Sequence, residues 1–112
     1  MYDIDEFMEH CLETTDPIAH LNHEDLIGYL VAGLASEAGE VAGKYKKYLR
    51  EGKDHYLKDM HREIGDVLWY CAVLCYEMKG NLFALSDCAT AVINKLADRH
   101  SRGALTGEGD NR

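Results

Sequence analysis

The sequence predicts an all-α protein, an antiparallel bundle of about four helices completed by oligomerisation. Three observations carry this expectation. Apolar residues recur at three- and four-residue spacing almost throughout, and no strand-like alternation of any length interrupts them. Pro17 is the single proline of the 112-residue chain. Gly52 and Gly80 split the remaining pattern into segments with short connections, and helices joined by short connections pack as antiparallel neighbours.

The first helix is expected from about Asp3 to Glu13, with Ile4, Phe7, Met8, Cys11 and Leu12 on one face. The segment "TTDPIAHLNHED" breaks that pattern. Asn22 then suits an N-cap, and Glu24 and Asp25 place acids in a first turn, where the helix dipole favours them. The second helix continues through Leu30, Leu34, Val41 and Tyr45 until Gly52. At roughly 28 residues it would be about 42 Å long. A compact monomer of this size has a radius of gyration near 13 Å. A helix of that length therefore projects from a monomer or is sheathed by another subunit, and a homodimer or homotetramer is expected. The third helix follows Asp54 and runs to about Lys79, with a core stripe of Ile64, Val67, Leu68, Cys71, Leu74, Cys75 and Met78. Asn81 opens the fourth, whose Leu82, Leu85, Cys88, Ala89, Val92 and Leu96 are expected inward. Residues 1–100 read as one domain and 101–112 as a flexible or partner-docked tail.

Bulk properties narrow the function. Hydrophobic residues make up 46% of the chain, enough for a core, and the formal net charge is −8. Nucleic acid polymers and anionic membranes need a basic face, so neither is an expected partner. No run approaches the roughly 18 apolar residues of a membrane span. The start "MYDIDEFMEH" is acidic and unlike a signal peptide. The four cysteines lack zinc-site spacing and read as reduced, packed thiols. These features together predict a cytoplasmic protein.

The chemistry concentrates in two carboxylate pairs. Glu37 and Glu40 lie three apart on the second helix, and Glu63 and Asp66 three apart on the third. Residues at that spacing are helix neighbours. On consecutive antiparallel helices the two pairs can face each other. Four converging carboxylates repel unless a cation or a proton lies among them. An E-x-x-E alone describes an ordinary solvated face, but Glu63 and Asp66 stand inside the apolar run "EIGDVLWYCAVLCY", where an unpaired acid is costly. All-oxygen ligands select Mg²⁺, with Mn²⁺ as a substitute, over zinc or copper. Neither pair ends in the histidine of a ferritin-like di-iron site. Gly39 and Gly65 each lie within a pair, and small residues near the acids would make room for a ligand or another backbone. Lys44 and Lys47 extend the acid face at helical spacing and suit a metal-bound polyphosphate. Trp69 reads as core, with stacking on a base as the alternative. The N-terminal segment, including Tyr2 and Phe7, is placed to cover a ligand.

"GLASEAGEVAGKYKK", "EIGDVLWYCAVL" and "NKLADRHSRG" together resemble the MazG-like all-α nucleoside triphosphate pyrophosphohydrolases. The resemblance covers roughly residues 28–112. It implies Mg²⁺-dependent cleavage of an NTP or dNTP to monophosphate and pyrophosphate, by water attack at the α-phosphorus. By motif position Glu37, Glu40, Glu63 and Asp66 become metal ligands, one of which also orients the water. Asn94, Lys95 and Arg99 match the last motif and would contact phosphates or sugar, and Lys44 and Lys47 fall where the family often has lysines. Many members carry a doubled glutamate in the first motif; Ser36 takes its first place here. The alternatives are a specialised relative, acting on dUTP or phosphoribosyl-ATP, and a non-catalytic helical dimerisation module.

Overall fold

A computed structural model describes residues 1–109. Helix α1 spans Ile4–Leu12, and a 3₁₀ turn at Asp16–Ile18 carries Pro17. Helix α2 spans His23–Glu51, α3 spans His55–Lys79 and α4 spans Ala84–Ser101. Among the described residues there is no strand, so the all-α expectation holds.

The helix boundaries follow from local chemistry. Asp3 accepts hydrogen bonds from the Asp5 and Glu6 amides and caps α1. The Asn22 side chain accepts the Asp25 amide at 2.8 Å, capping α2 as expected. Gly52 and Gly80 adopt the left-handed conformation at φ 68° and 74°, and their amides close on the carbonyls of Tyr48 and Tyr76. Glycine reaches that conformation without steric cost, which is why each helix stops there. Asn81 does not cap α4 directly. Its carboxamide oxygen accepts the Phe83 amide at 2.9 Å, forming a turn that delays the helix to Ala84.

The core is thin and sits where α1, α2, α3 and the start of α4 converge. Met8, Leu30 and Val73 are fully enclosed, with Cys11, Ile18, Ala72 and Ala84 around them. Helices α2 and α3 pack as an extended pair, while α4 rests on α3 and α1. The radius of gyration is 16.7 Å, well above the roughly 13 Å of a compact domain this long.

Part of the expected core is therefore not core in the single chain. On α3, Ile64, Leu68 and Met78 are 42%, 49% and 66% exposed. Leu82, in the turn before α4, and Val92 and Leu96 on α4 are exposed too, as is Cys88. The apolar period was correct, but α4 lies along one side of α3 and leaves an apolar groove of about 1130 Å³ open between α1, α3 and α4. The tail does not leave α4 at once: the Ala104 amide bonds the Arg99 carbonyl at 2.7 Å, hooking residues 102–104 back on the helix end. The last three positions of the expected tail lie outside the described residues.

Candidate active site

The α2–α3 pair brings three of the four expected carboxylates together. Glu37 from α2 and Glu63 and Asp66 from α3 each offer an oxygen, and these oxygens all lie within 4.8 Å of one another. Glu37 and Glu63 are half-buried and Asp66 is exposed. Glu40 stands one turn further along α2, exposed and outside this group. Partial burial pushes the Glu63 carboxyl above its ordinary range, and the hydrogen bond with Glu37 and the negative charges of Asp66 and Glu37 push it further. Among the described residues no lysine or arginine forms an ion pair with the three. The donor set is thus all-oxygen and crowded with like charge, which fits a hard divalent cation such as Mg²⁺ or Mn²⁺.

A concavity of about 340 Å³ adjoins the acids, lined by Thr14, Glu37, Asp66, Trp69 and Tyr70. The Trp69 indole N–H donates to Thr14 Oγ1 at 2.7 Å, and that hydroxyl donates to the Cys11 carbonyl at 2.8 Å. Tyr70 meets Trp69 edge-on, with ring centroids 4.9 Å apart. The neighbouring Tyr29 hydroxyl, with desolvation and the nearby acid charge, pushes the Tyr70 pKa up to about 12, and the two ring centroids lie 6.3 Å apart. Gly33 makes room for this ring: a Cβ there would collide with Tyr70.

The glycines inside the carboxylate pairs, Gly39 and Gly65, face open space, as does Gly43 beyond them. A Cβ at Gly39, Gly43 or Gly65 would meet nothing within 4 Å, so none of them admits another part of this chain. Gly33, one turn before Glu37, is the glycine that a close approach requires. Tyr2 and Phe7 line the apolar groove on the other side of α3, and it is Thr14, just past α1, that reaches the acid concavity. Sequence reasoning missed Thr14, Tyr29 and Gly33. A glycine within an otherwise continuous helix was the one available signal, and it was read at Gly39 instead.

The remaining expected contacts are more dispersed. Lys44 is half-buried and Lys47 exposed on α2, about 10 and 15 Å beyond Glu37 along the helix axis. Asn94 and Lys95 are exposed on α4, whereas Arg99 is only 3% exposed. These three residues lie on α4, whose main neighbours are α3 and α1.

Residues 22–103 match the MazG nucleotide pyrophosphohydrolase domain, and the chain belongs to that family. It is also similar to the Gene 37 protein of Mycobacterium phage L5, with 41% identity over 91 residues that cover 77% of this chain and 76% of that one. No solved structure matches. The matched span contains Glu37, Glu63 and Asp66 and excludes α1, so the acid cluster is built wholly inside the family domain while Thr14 is added from outside it.

Proposed function

We propose that the protein hydrolyses nucleoside triphosphates, NTP or dNTP, to the monophosphate and pyrophosphate in a Mg²⁺-dependent reaction. The convergence of Glu37, Glu63 and Asp66 on facing helices of a MazG domain is the observation that supports this reading. These three carboxylates would hold the ion. When bound, it supplies Lewis-acid polarisation of phosphoryl oxygens and lowers the pKa of water. Glu40, one turn away and outside the cluster, is assigned to orienting the attacking water. Water adds to the α-phosphorus, the bond from that phosphorus to the bridging oxygen breaks, and pyrophosphate leaves. Lys44 and Lys47 neutralise the departing phosphates from the same side of α2. Asn94, Lys95 and Arg99 are proposed as phosphate or sugar contacts on the strength of the sequence motif alone.

The working protein is proposed to be a homo-oligomer in the cytoplasm. The chain exposes 7920 Å² where about 6200 Å² is expected of a 12.6 kDa monomer, an excess of roughly 1700 Å². Stable homodimers bury on the order of 1000 Å² or more from each partner. A second copy seated in the apolar groove beside α3 would account for the excess. Among the described residues no helix is long and apolar enough to cross a membrane.

Product analysis tests the activity, using a panel of NTPs and dNTPs with and without Mg²⁺. Monophosphate plus pyrophosphate, lost on chelation, is the expected result. Diphosphate plus inorganic phosphate would overturn it. Metal-induced stabilisation without turnover would move the substrate to a specialised class such as phosphoribosyl-ATP. Neither turnover nor a metal effect would leave the helical dimerisation module.

A further inference from the structure

Charge is sorted along this chain. The first 43 residues hold ten aspartates and glutamates and no lysine or arginine, while residues 44–62 hold seven of the twelve lysines and arginines. The basic stretch is the far end of the α2–α3 hairpin: the last turns of α2, the connection after Gly52 and the first turns of α3. Arg50 and Lys53 pair there with Glu51, and Arg62 with Asp59. Lys46 and Lys58 are exposed and make no ion pair among the described residues. The acids are no better matched. Of the eight between Asp3 and Asp25, none pairs with a lysine or arginine among the described residues, and Glu13 meets only His10. The start of α1 is crowded: a hydrogen bond with Asp3 and the charges of Asp3 and Glu9 hold the Glu6 carboxyl above its ordinary range.

The apolar groove relates these two surfaces. Helix α1 forms one of its banks, with Asp3 in the lining, so whatever seats there also lies along the acidic helix. On its floor, His61 begins the stripe that continues to Leu68, Cys71, Cys75 and Met78. Lys58 shares that side of α3 by three-residue spacing. One face of the chain thus carries an apolar stripe with a basic end, beside a groove with an acidic bank. We propose that two copies associate reciprocally through this face, the basic α2–α3 hairpin end of each lying on the acidic α1 of the other; the proposal rests on the homo-oligomer reading and gives it an orientation. A reciprocal contact closes after two copies, whereas a one-way contact continues into a filament. The groove supplies the apolar burial. The opposed charges steer the encounter and fix its register. Self-association is therefore weakened by salt, which screens exposed charges.

The experiment exchanges the charges and reads the mass by sedimentation. Lys46→Glu with Lys58→Glu makes the hairpin end acidic. Glu9→Lys with Glu13→Lys makes α1 basic, at a helix C-terminus where the dipole favours a cation. Each variant alone sets like charges at both contacts and should weaken the pair about tenfold or more. An equimolar mixture of the two variants should recover wild-type affinity, because both contacts are opposed in sign again. Net charge alone predicts otherwise: the α1 variant is less acidic than wild type and would associate more tightly. The wild-type Kd should also rise between about 50 and 500 mM salt. Variants with wild-type affinity, a tighter α1 variant, or a mixture that does not recover would overturn the pairing. Should a variant melt early, the salt dependence of the wild type decides, and its absence overturns the proposal. If Leu68→Lys dissociates the assembly and the charge variants do not, the groove stands and this orientation falls. A wild-type chain that is monomeric at every salt concentration would remove both. Mass that grows without limit would overturn reciprocity. Binding of added polyglutamate by a chain that stays monomeric would give the hairpin end to an acidic partner instead.

Discussion

The two sides of α3 are built on opposite terms. One side carries Glu63, Asp66 and Tyr70 and is closed against α2, so that polar groups are held at short range in a small concavity. The other carries Leu68, Cys71, Cys75 and Met78 and is open, although its residues are those of a hydrophobic core. Charge is crowded where the chain packs on itself, and apolar surface is bare where it does not. Both arrangements are unfavourable for an isolated, metal-free chain. The proposed cation would relieve the first and the proposed second copy the second, one face completed by a ligand and the other by a partner.

The sharpest way to break this comparison is to remove one acid. Asp66→Asn should lower turnover by about 10²–10³-fold or more, the scale of losing one preorganised electrostatic contact. The same change relieves charge on Glu63, so the metal-free melting temperature should stay level or rise. A clear fall in that temperature would mean the acids are not crowded.

On the opposite side, Leu68→Lys should dissociate the oligomer, read by sedimentation, and weaken it by about 1.5–3 kcal/mol per chain, the value of one buried leucine. An unchanged mass would show that this groove is not the self-association face.

A pair of glycine substitutions compares a packed position with an open one. Gly33→Ala forces Tyr70 to move and should cost about 1–3 kcal/mol of strain, offset by about 1 kcal/mol of helix propensity. Gly39→Ala meets nothing in the chain and should raise metal-free stability by up to about 1 kcal/mol. Denaturant melts of both variants read the contrast, and equal shifts would remove Gly33 as a seat for Tyr70.

The smallest expected effect concerns the thiols. Burial pushes Cys11 up to about 11, so almost none of it is thiolate at pH 8, whereas Cys88 is exposed. Alkylation followed by mass spectrometry should label Cys11 only on unfolding. Early labelling of Cys11 would show that α1 opens readily.

Much of this was legible in the sequence because it depends on local rules. Asn22, Gly52 and Gly80 bound their helices through backbone chemistry that neighbours alone decide. The acid pairs were legible for the same reason: three-residue spacing on a helix fixes which side chains share a face. What was not legible depended on how one helix lies on another. The stripes on α3 and α4 had the right period, but whether Leu68, Met78 and Val92 are covered is set by the placement of α4 and by what a single chain lacks. Glu40 stands apart although it is spaced from Glu37 as Asp66 is from Glu63, because the way α2 lies on α3, and not the spacing, sets which acids converge. Thr14 lies in a segment without a periodic pattern, and nothing short of the three-dimensional path of the chain connects it to Trp69, 55 positions later.

The central claim is that Glu37, Glu63 and Asp66 form a divalent cation site. Titration of Mn²⁺ followed by electron paramagnetic resonance tests it directly, because the free ion and the bound ion give different signals. Wild-type protein should remove the free-ion signal saturably, with Mg²⁺ competing, and Glu63→Gln should weaken binding about tenfold or more. Equal binding by the two proteins, or none by either, would contradict the account.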